Sequence, residues 1–70
     1  MSKWARLKSL KSSLESDIAT LQGQRETIKN KIANNTASDV ELQQLEELGD
    51  QLAGKVWDLQ CVLGELGGLV

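Results

Sequence analysis

The sequence contains no proline, histidine, tyrosine or phenylalanine, and it has one cysteine in 70 residues. Without histidine and with one thiol, it lacks the ligands of a zinc site and any Ser-His or Cys-His nucleophile. One cysteine cannot form an intrachain disulfide, so a secreted disulfide scaffold is not expected. No apolar run reaches the roughly 18 residues of a membrane span, and the basic start does not resemble a signal peptide. These absences predict a cytoplasmic, non-enzymatic binding protein without metal or cofactor.

Apolar residues recur at helical spacing along the whole chain. In each half, two seven-residue registers form a heptad seam, a line of side chains that faces a second helix. In the first half the registers are Leu7, Leu14, Leu21 and Ile28, and Trp4, Lys11, Ile18, Arg25 and Ile32. In the second half they are Leu45, Leu52, Leu59 and Leu66, and Leu42, Gly49, Val56 and Leu63. The pattern predicts two long amphipathic helices.

The break between the two helices is marked by known end signals. An Asn-Asn pair at 34–35 can adopt the left-handed conformation that ends a helix. A Ser-Asp-Val-Glu capping box at 38–41 begins the next helix, and glycines at 67–68 are expected to end it. A short loop makes the helices antiparallel. The prediction is an all-α, coiled-coil-type hairpin forming one domain over residues 1–70, with helix 1 at about 3–33, the turn at 34–38 and helix 2 at about 39–66.

Charge is divided unequally between the two halves. Residues 1–35 carry seven basic and three acidic side chains, whereas residues 36–70 carry one basic and seven acidic side chains. A helix of charge +4 beside a helix of charge −6 favours the predicted pairing. The basic side chains near the start, if displayed, would instead favour nucleic acid. They are Lys3, Arg6, Lys8 and Lys11.

A single hairpin leaves apolar side chains uncovered, and a chain this small usually needs a second source of stability. We therefore predict a homodimer, most simply two hairpins forming a four-helix bundle. The expected dimer interface includes Leu10 and Val62, which widen the apolar stripe beyond the seam. It also includes Trp57, Cys61 and Gly54, which lie on the side of helix 2 opposite the seam.

The outer face of helix 1 carries small side chains at alternating steps of three and four residues. We call this face the small-residue stripe; its members are Ala5, Ser9, Ser12, Ser16, Ala19, Gly23, Glu26 and Asn30. One interpretation is an ordinary solvated surface. The other is a second packing surface, where another backbone approaches closely, which would explain the helix-weakening glycines at 23 and 54.

Arg25 interrupts the seam in the middle of helix 1. It is either a register-setting residue paired with Asp50, Glu46 or Glu26, or one half of a charged pair displayed to a binding partner. An antiparallel register places Gly49 close to Arg25, where the missing side chain would leave space for the guanidinium.

An Arg25-Glu26 pair partway along helix 1 of a dimerising hairpin of this length resembles the small anti-quorum-sensing antiactivator proteins of Pseudomonas phages. The resemblance implies binding to host proteins: the ligand-binding domain of a LuxR-type activator and the assembly ATPase of type IV pili. It implies that Arg25 and Glu26 bind the partner, and the stripe adds Ala19 and Gly23. The family contacts the activator through an aromatic near the turn, and this sequence has no tyrosine.

The predicted function is therefore a small protein-binding inhibitor, acting in the host cytoplasm if it is phage-encoded. Two alternatives stay open. The regular heptads suit a structural coiled-coil or assembly module. The basic segment suits an RNA-binding hairpin dimer that resembles the plasmid copy-number protein Rop.

Overall fold

The computed structural model describes residues 2–68, which form two long α-helices joined by a short turn. Helix α1 runs over Lys3–Ala33 and helix α2 over Asp39–Gly68. They lie side by side as an antiparallel hairpin with Cα extents of 49 × 16 × 14 Å. The predicted helical hairpin is confirmed. Helix α2 extends beyond its predicted end, because the glycines at 67–68 remain helical.

The turn follows the end signals in the sequence. Asn35 adopts the left-handed conformation, with φ of 57°, and the amide of Asn34 donates to the carbonyl of Asn30 at 3.1 Å. The capping box also forms. The Glu41 amide donates to Ser38 Oγ at 3.2 Å, and the Ser38 amide donates to Glu41 Oε1 at 3.1 Å. Both helix ends at the turn therefore have hydrogen-bond partners for otherwise free backbone groups.

Lys31 and Glu41 form an ion pair that ties the last turn of α1 to the first turn of α2. The Lys31 ammonium donates a hydrogen bond to the Glu41 carboxylate, and this contact, with the hydrogen bond from the Ser38 amide, lowers the pKa of Glu41 below its ordinary value. A carboxyl whose pKa is lower in the folded chain stabilises that chain above its ordinary pKa. The contribution is lost as the pH falls through the lowered value.

We expect Glu41→Gln to lower the melting temperature at neutral pH, because glutamine keeps the capping hydrogen bond but loses the charge that attracts Lys31. At a pH below the lowered pKa, where Glu41 is protonated, the two proteins should melt alike. Thermal melts followed by circular dichroism at both pH values test this, with the exposed Glu47→Gln as the matched control. An undiminished difference at acid pH would contradict the role of the ion pair.

The core of the hairpin is small. Only four hydrophobic residues of the described chain are more than nine-tenths buried, namely Leu7, Leu14, Ile28 and Val62. Leu7, Leu14 and Val62 form one cluster, with Leu59 and Leu66 packed against it. A core of this size is little for a 70-residue chain.

Helix α2 uses a different register against α1 from the one predicted. Leu48, Lys55 and Val62 complete its seam, because Val62 packs on Leu7 and Leu14 and Lys55 meets Asp17 at 3.3 Å. The predicted register lies at the edge of the contact with α1, where Leu42 shares a depression with Ile32. We call this register the exposed row; its members are Leu42, Gly49, Val56 and Leu63. The row's leucines and valine keep 39–46% of their surface exposed.

Candidate protein-binding surface

The small-residue stripe of α1 lies on the side away from α2, as predicted. Ala19, Gly23 and Glu26 are exposed, and Ala5 is half-buried. A Cβ atom built at Gly23 would have no neighbouring atom within 4 Å beyond the helix's own backbone, and the same holds for Gly54. The hairpin itself therefore gives no packing reason for glycine at either position.

Arg25 and Glu26 are adjacent but have different surroundings. Glu26 is exposed on the stripe, whereas Arg25 is half-buried at the seam. Their side chains leave the helix about 100° apart, because an α-helix has 3.6 residues per turn. The structure thus displays Glu26 on the stripe and places Arg25 at the contact between the helices.

The guanidinium of Arg25 lacks the partners that the sequence suggested. Among residues 2–68, Arg25 forms no salt bridge with Asp50, Glu46 or Glu26. Its Nε atom is buried without a hydrogen-bond partner. The space beside Gly49 is also open, since a Cβ built there would meet no atom within 4 Å. The guanidinium does not fill that space within one chain.

Three of the residues predicted for the dimer interface lie on the outer side of α2. Trp57 is 70% exposed, more than any other large hydrophobic residue described. Gly54 and Cys61 are also exposed. The position of Trp57, opposite the seam, agrees with its spacing from the seam leucines. Whether a second copy contacts it stays a prediction.

The other two predicted interface residues, one on each helix, lie beside the contact between the helices. Leu10 is 48% exposed, but Val62 is only 6% exposed. Leu10, Cys61 and Val62 line one groove beside the seam. Val62 belongs to the hairpin's own core, because it packs in one buried cluster with Leu7 and Leu14. Whether a second copy also contacts Leu10 or Val62 stays a prediction.

The basic segment of α1 is partly engaged within the hairpin. The Lys8 ammonium lies 4.8 Å from the centroid of the Trp4 ring, a cation–π contact. Lys11 pairs with Glu15 at 3.4 Å. Glu65 of α2 lines the same depression as Lys3 and Arg6. An acidic side chain therefore lies close to the basic end of α1.

The described residues show neither a metal-binding cluster nor a membrane span. Between residues 2 and 68, no three His, Cys, Asp or Glu side chains are placed to hold a metal ion. In the same part of the chain, neither helix has a stretch long and apolar enough to cross a membrane. Comparison with protein-family models, curated proteins and solved structures found no match.

Proposed function

We propose that this chain is a small non-enzymatic inhibitor that acts as a homodimer and binds a foreign protein through the outer face of α1. In line with the resemblance to the phage antiactivators, the proposed targets are a host quorum-sensing regulator or the type IV pilus assembly ATPase. The proposed site of action is the host cytoplasm. The contact surface is the part of the stripe around Ala19, Gly23 and Glu26.

The observation that carries the proposal is the placement of Glu26 on the stripe. Glu26 is exposed, and within residues 2–68 it forms no salt bridge. It is the only formally charged residue of the stripe. A single charge on an otherwise small and neutral surface accepts one complementary charge and rejects surfaces that lack it.

Arg25 has a supporting part in this proposal. Because it is half-buried at the seam, it reaches the target at most from the edge of the contact. The stripe and Glu26 therefore carry the specificity, and the ATPase contact implied by the resemblance rests on Glu26 more than on Arg25.

Reversing the charge of Glu26 should abolish binding to the foreign protein. We expect Glu26→Lys to fold and self-associate as the unmodified chain does, because exposed helix positions usually change stability by less than about 0.5 kcal/mol. The measurement is capture from host lysate by the unmodified chain and by the variant, with circular dichroism as the test of folding. Asp50→Lys, the same charge change at an exposed position of α2, is the matched control.

The same capture experiment separates the alternatives. Undiminished recovery of every bound protein by a folded Glu26→Lys variant would contradict the proposed surface. Recovery of the chain's own copies alone would favour an assembly module. Capture that is lost after ribonuclease treatment would favour the Rop-like alternative.

A further inference from the structure

We propose that a second copy of this chain covers the exposed row, with the two α2 helices packed antiparallel against each other. This inference rests on the proposed homodimer and assigns its contact face and its arrangement. It differs from the interface predicted around Trp57, which lies on another side of α2.

The exposed row leaves apolar side chains partly uncovered along α2. Leu42 is 46% exposed, Val56 39% and Leu63 40%. Their seven-residue spacing keeps them on one side of α2 over almost its whole length. Ile32 of α1 is 39% exposed and lines one depression with Leu42, so the apolar surface continues onto the edge of α1.

The register of the hairpin shows which residues of α1 lie beside the row. Because the helices are antiparallel, seven residues forward on α2 correspond to seven residues back on α1. Starting from Ile32 beside Leu42, Arg25 lies level with Gly49 and Ile18 with Val56. The ion pairs Lys31–Glu41 and Asp17–Lys55 agree with this register, because they are fourteen residues apart on each helix in opposite directions. They lie on the opposite side of the seam. The two sides of the hairpin thus differ: one carries these ion pairs and the other carries the exposed row.

The row is long, and the single hairpin has a small core. The row extends along α2 from position 42 to position 63, which is roughly 32 Å at 1.5 Å per residue. Among the described residues only four hydrophobic side chains are buried in the monomer, so a second copy that covers the row would enlarge the apolar core.

The order of side chains in the row makes it complementary to itself in the antiparallel direction. With a two-fold axis midway along the row, Leu42 of one copy meets Leu63 of the other, and Gly49 meets Val56. The open space beside Gly49 then receives a valine side chain. A parallel arrangement would oppose Gly49 to Gly49 and leave a cavity, which costs stability. No acidic or basic residue belongs to the row, so the antiparallel arrangement opposes no like charges within it.

Helix α1 presents a different surface on the same side. The positions four residues after Trp4, Lys11, Ile18 and Arg25 are polar and exposed. They are Lys8, Glu15, Gln22 and Lys29. Apolar side chains of a second copy would gain little against them, so the contact is centred on the two α2 helices.

Two neighbouring residues of α2 test the contact face. We expect Val56→Glu to raise the dimer dissociation constant at least tenfold, because it places two carboxylates inside the contact, while Trp57→Glu leaves the dimer intact. Sedimentation velocity over a range of concentrations measures both, with circular dichroism to confirm folding. Leu63→Lys is the second variant on the face, should Val56→Glu fail to fold. A folded Val56→Glu or Leu63→Lys that dimerises as the unmodified chain does would overturn the inference.

The arrangement is tested by a distance between the two turns. A spin label at Asn34→Cys, in a chain whose own thiol is removed by Cys61→Ser, reports this distance by pulsed electron spin resonance. Antiparallel α2 helices place the turns at opposite ends, roughly 40 Å apart at 1.5 Å per residue. Turns at the same end would lie within about 20 Å, since packed helices are 8–10 Å apart, and that result would overturn the arrangement.

The outcomes separate the inference from the proposals on which it rests. A monomeric unmodified chain would overturn the homodimer and the inference together. A dimer that persists in folded Val56→Glu would overturn the contact face alone. If the unmodified chain is monomeric and Val56→Glu no longer binds a foreign protein, that protein binds the exposed row and the inference fails. The capture experiment with Glu26→Lys measures binding through the small-residue stripe independently of these three outcomes.

Discussion

Replacing Leu14 with alanine is expected to lower the free energy of unfolding by about 2–5 kcal/mol, the usual cost of deleting a large buried side chain. Leu14 is 5% exposed and has the lowest exposure of the four buried residues. It packs in the cluster that contains Leu7 and Val62 and joins α1 to α2. Because a small domain has a total stability of only about 5–15 kcal/mol, the variant should be largely unfolded well below the melting temperature of the unmodified chain.

Leu10→Ala is the matched control for Leu14→Ala. The same change is made four residues away on the same helix, where the leucine is 48% exposed. We expect it to cost less than half as much, since much of the side chain is already in contact with water. Chemical denaturation followed by circular dichroism at one protein concentration measures both. Equal losses at the two positions would show that α1 is packed on a different face.

Arg25→Leu is expected to stabilise the hairpin by about 1–3 kcal/mol, the range for the penalty of a buried polar group without a partner. The Nε atom of Arg25 is such a group, and among the described residues no carboxylate pairs with this guanidinium. Leucine would extend the apolar register that contains Ile18 and Ile32. The measurement is the denaturation midpoint of the variant against that of the unmodified chain.

Lys11→Leu provides the comparison for Arg25→Leu, because Lys11 is the other basic residue of this register and has Glu15 as a partner. Its replacement should give a smaller gain. A lower midpoint for Arg25→Leu would contradict the prediction and indicate that the guanidinium has a hydrogen-bond partner outside the single chain. In that event Arg25 would act as a register-setting residue between copies.

The main features of the fold can be predicted from the sequence because they depend on local signals. The left-handed Asn35 and the capping box of Ser38 and Glu41 are found where their side-chain chemistry requires. The end of α2 is the exception. Glycine weakens a helix but does not by itself end one, and the two glycines at 67–68 continue the helix.

The register of α2 could not be predicted in the same way. Two registers flank the leucines at 45, 52, 59 and 66 at equal angles, and the sequence alone favoured the more apolar of them. Contacts with α1 decide otherwise, since Lys55 reaches Asp17 and Val62 packs in one buried cluster with Leu7 and Leu14. The lysine is tolerated at the seam because its ammonium reaches the exposed edge of the contact and pairs there with the Asp17 carboxylate.

The location of the candidate binding surface could be predicted from the sequence, but its function could not. Spacing alone places Glu26 and the small residues opposite the seam, and the structure leaves them exposed. The different surroundings of Arg25 and Glu26 depend on which residues of α2 pack beside Arg25. The spacing of apolar residues in the sequence does not determine these contacts. The nature of a bound protein depends on chemistry that lies outside this chain.

The most direct measurement is the mass of the unmodified chain in solution, by sedimentation equilibrium at tens of micromolar. If a second copy covers the apolar side chains that the hairpin leaves exposed, the measured mass is twice the 7.7 kDa of one chain. A mass of 7.7 kDa throughout that range would contradict the account.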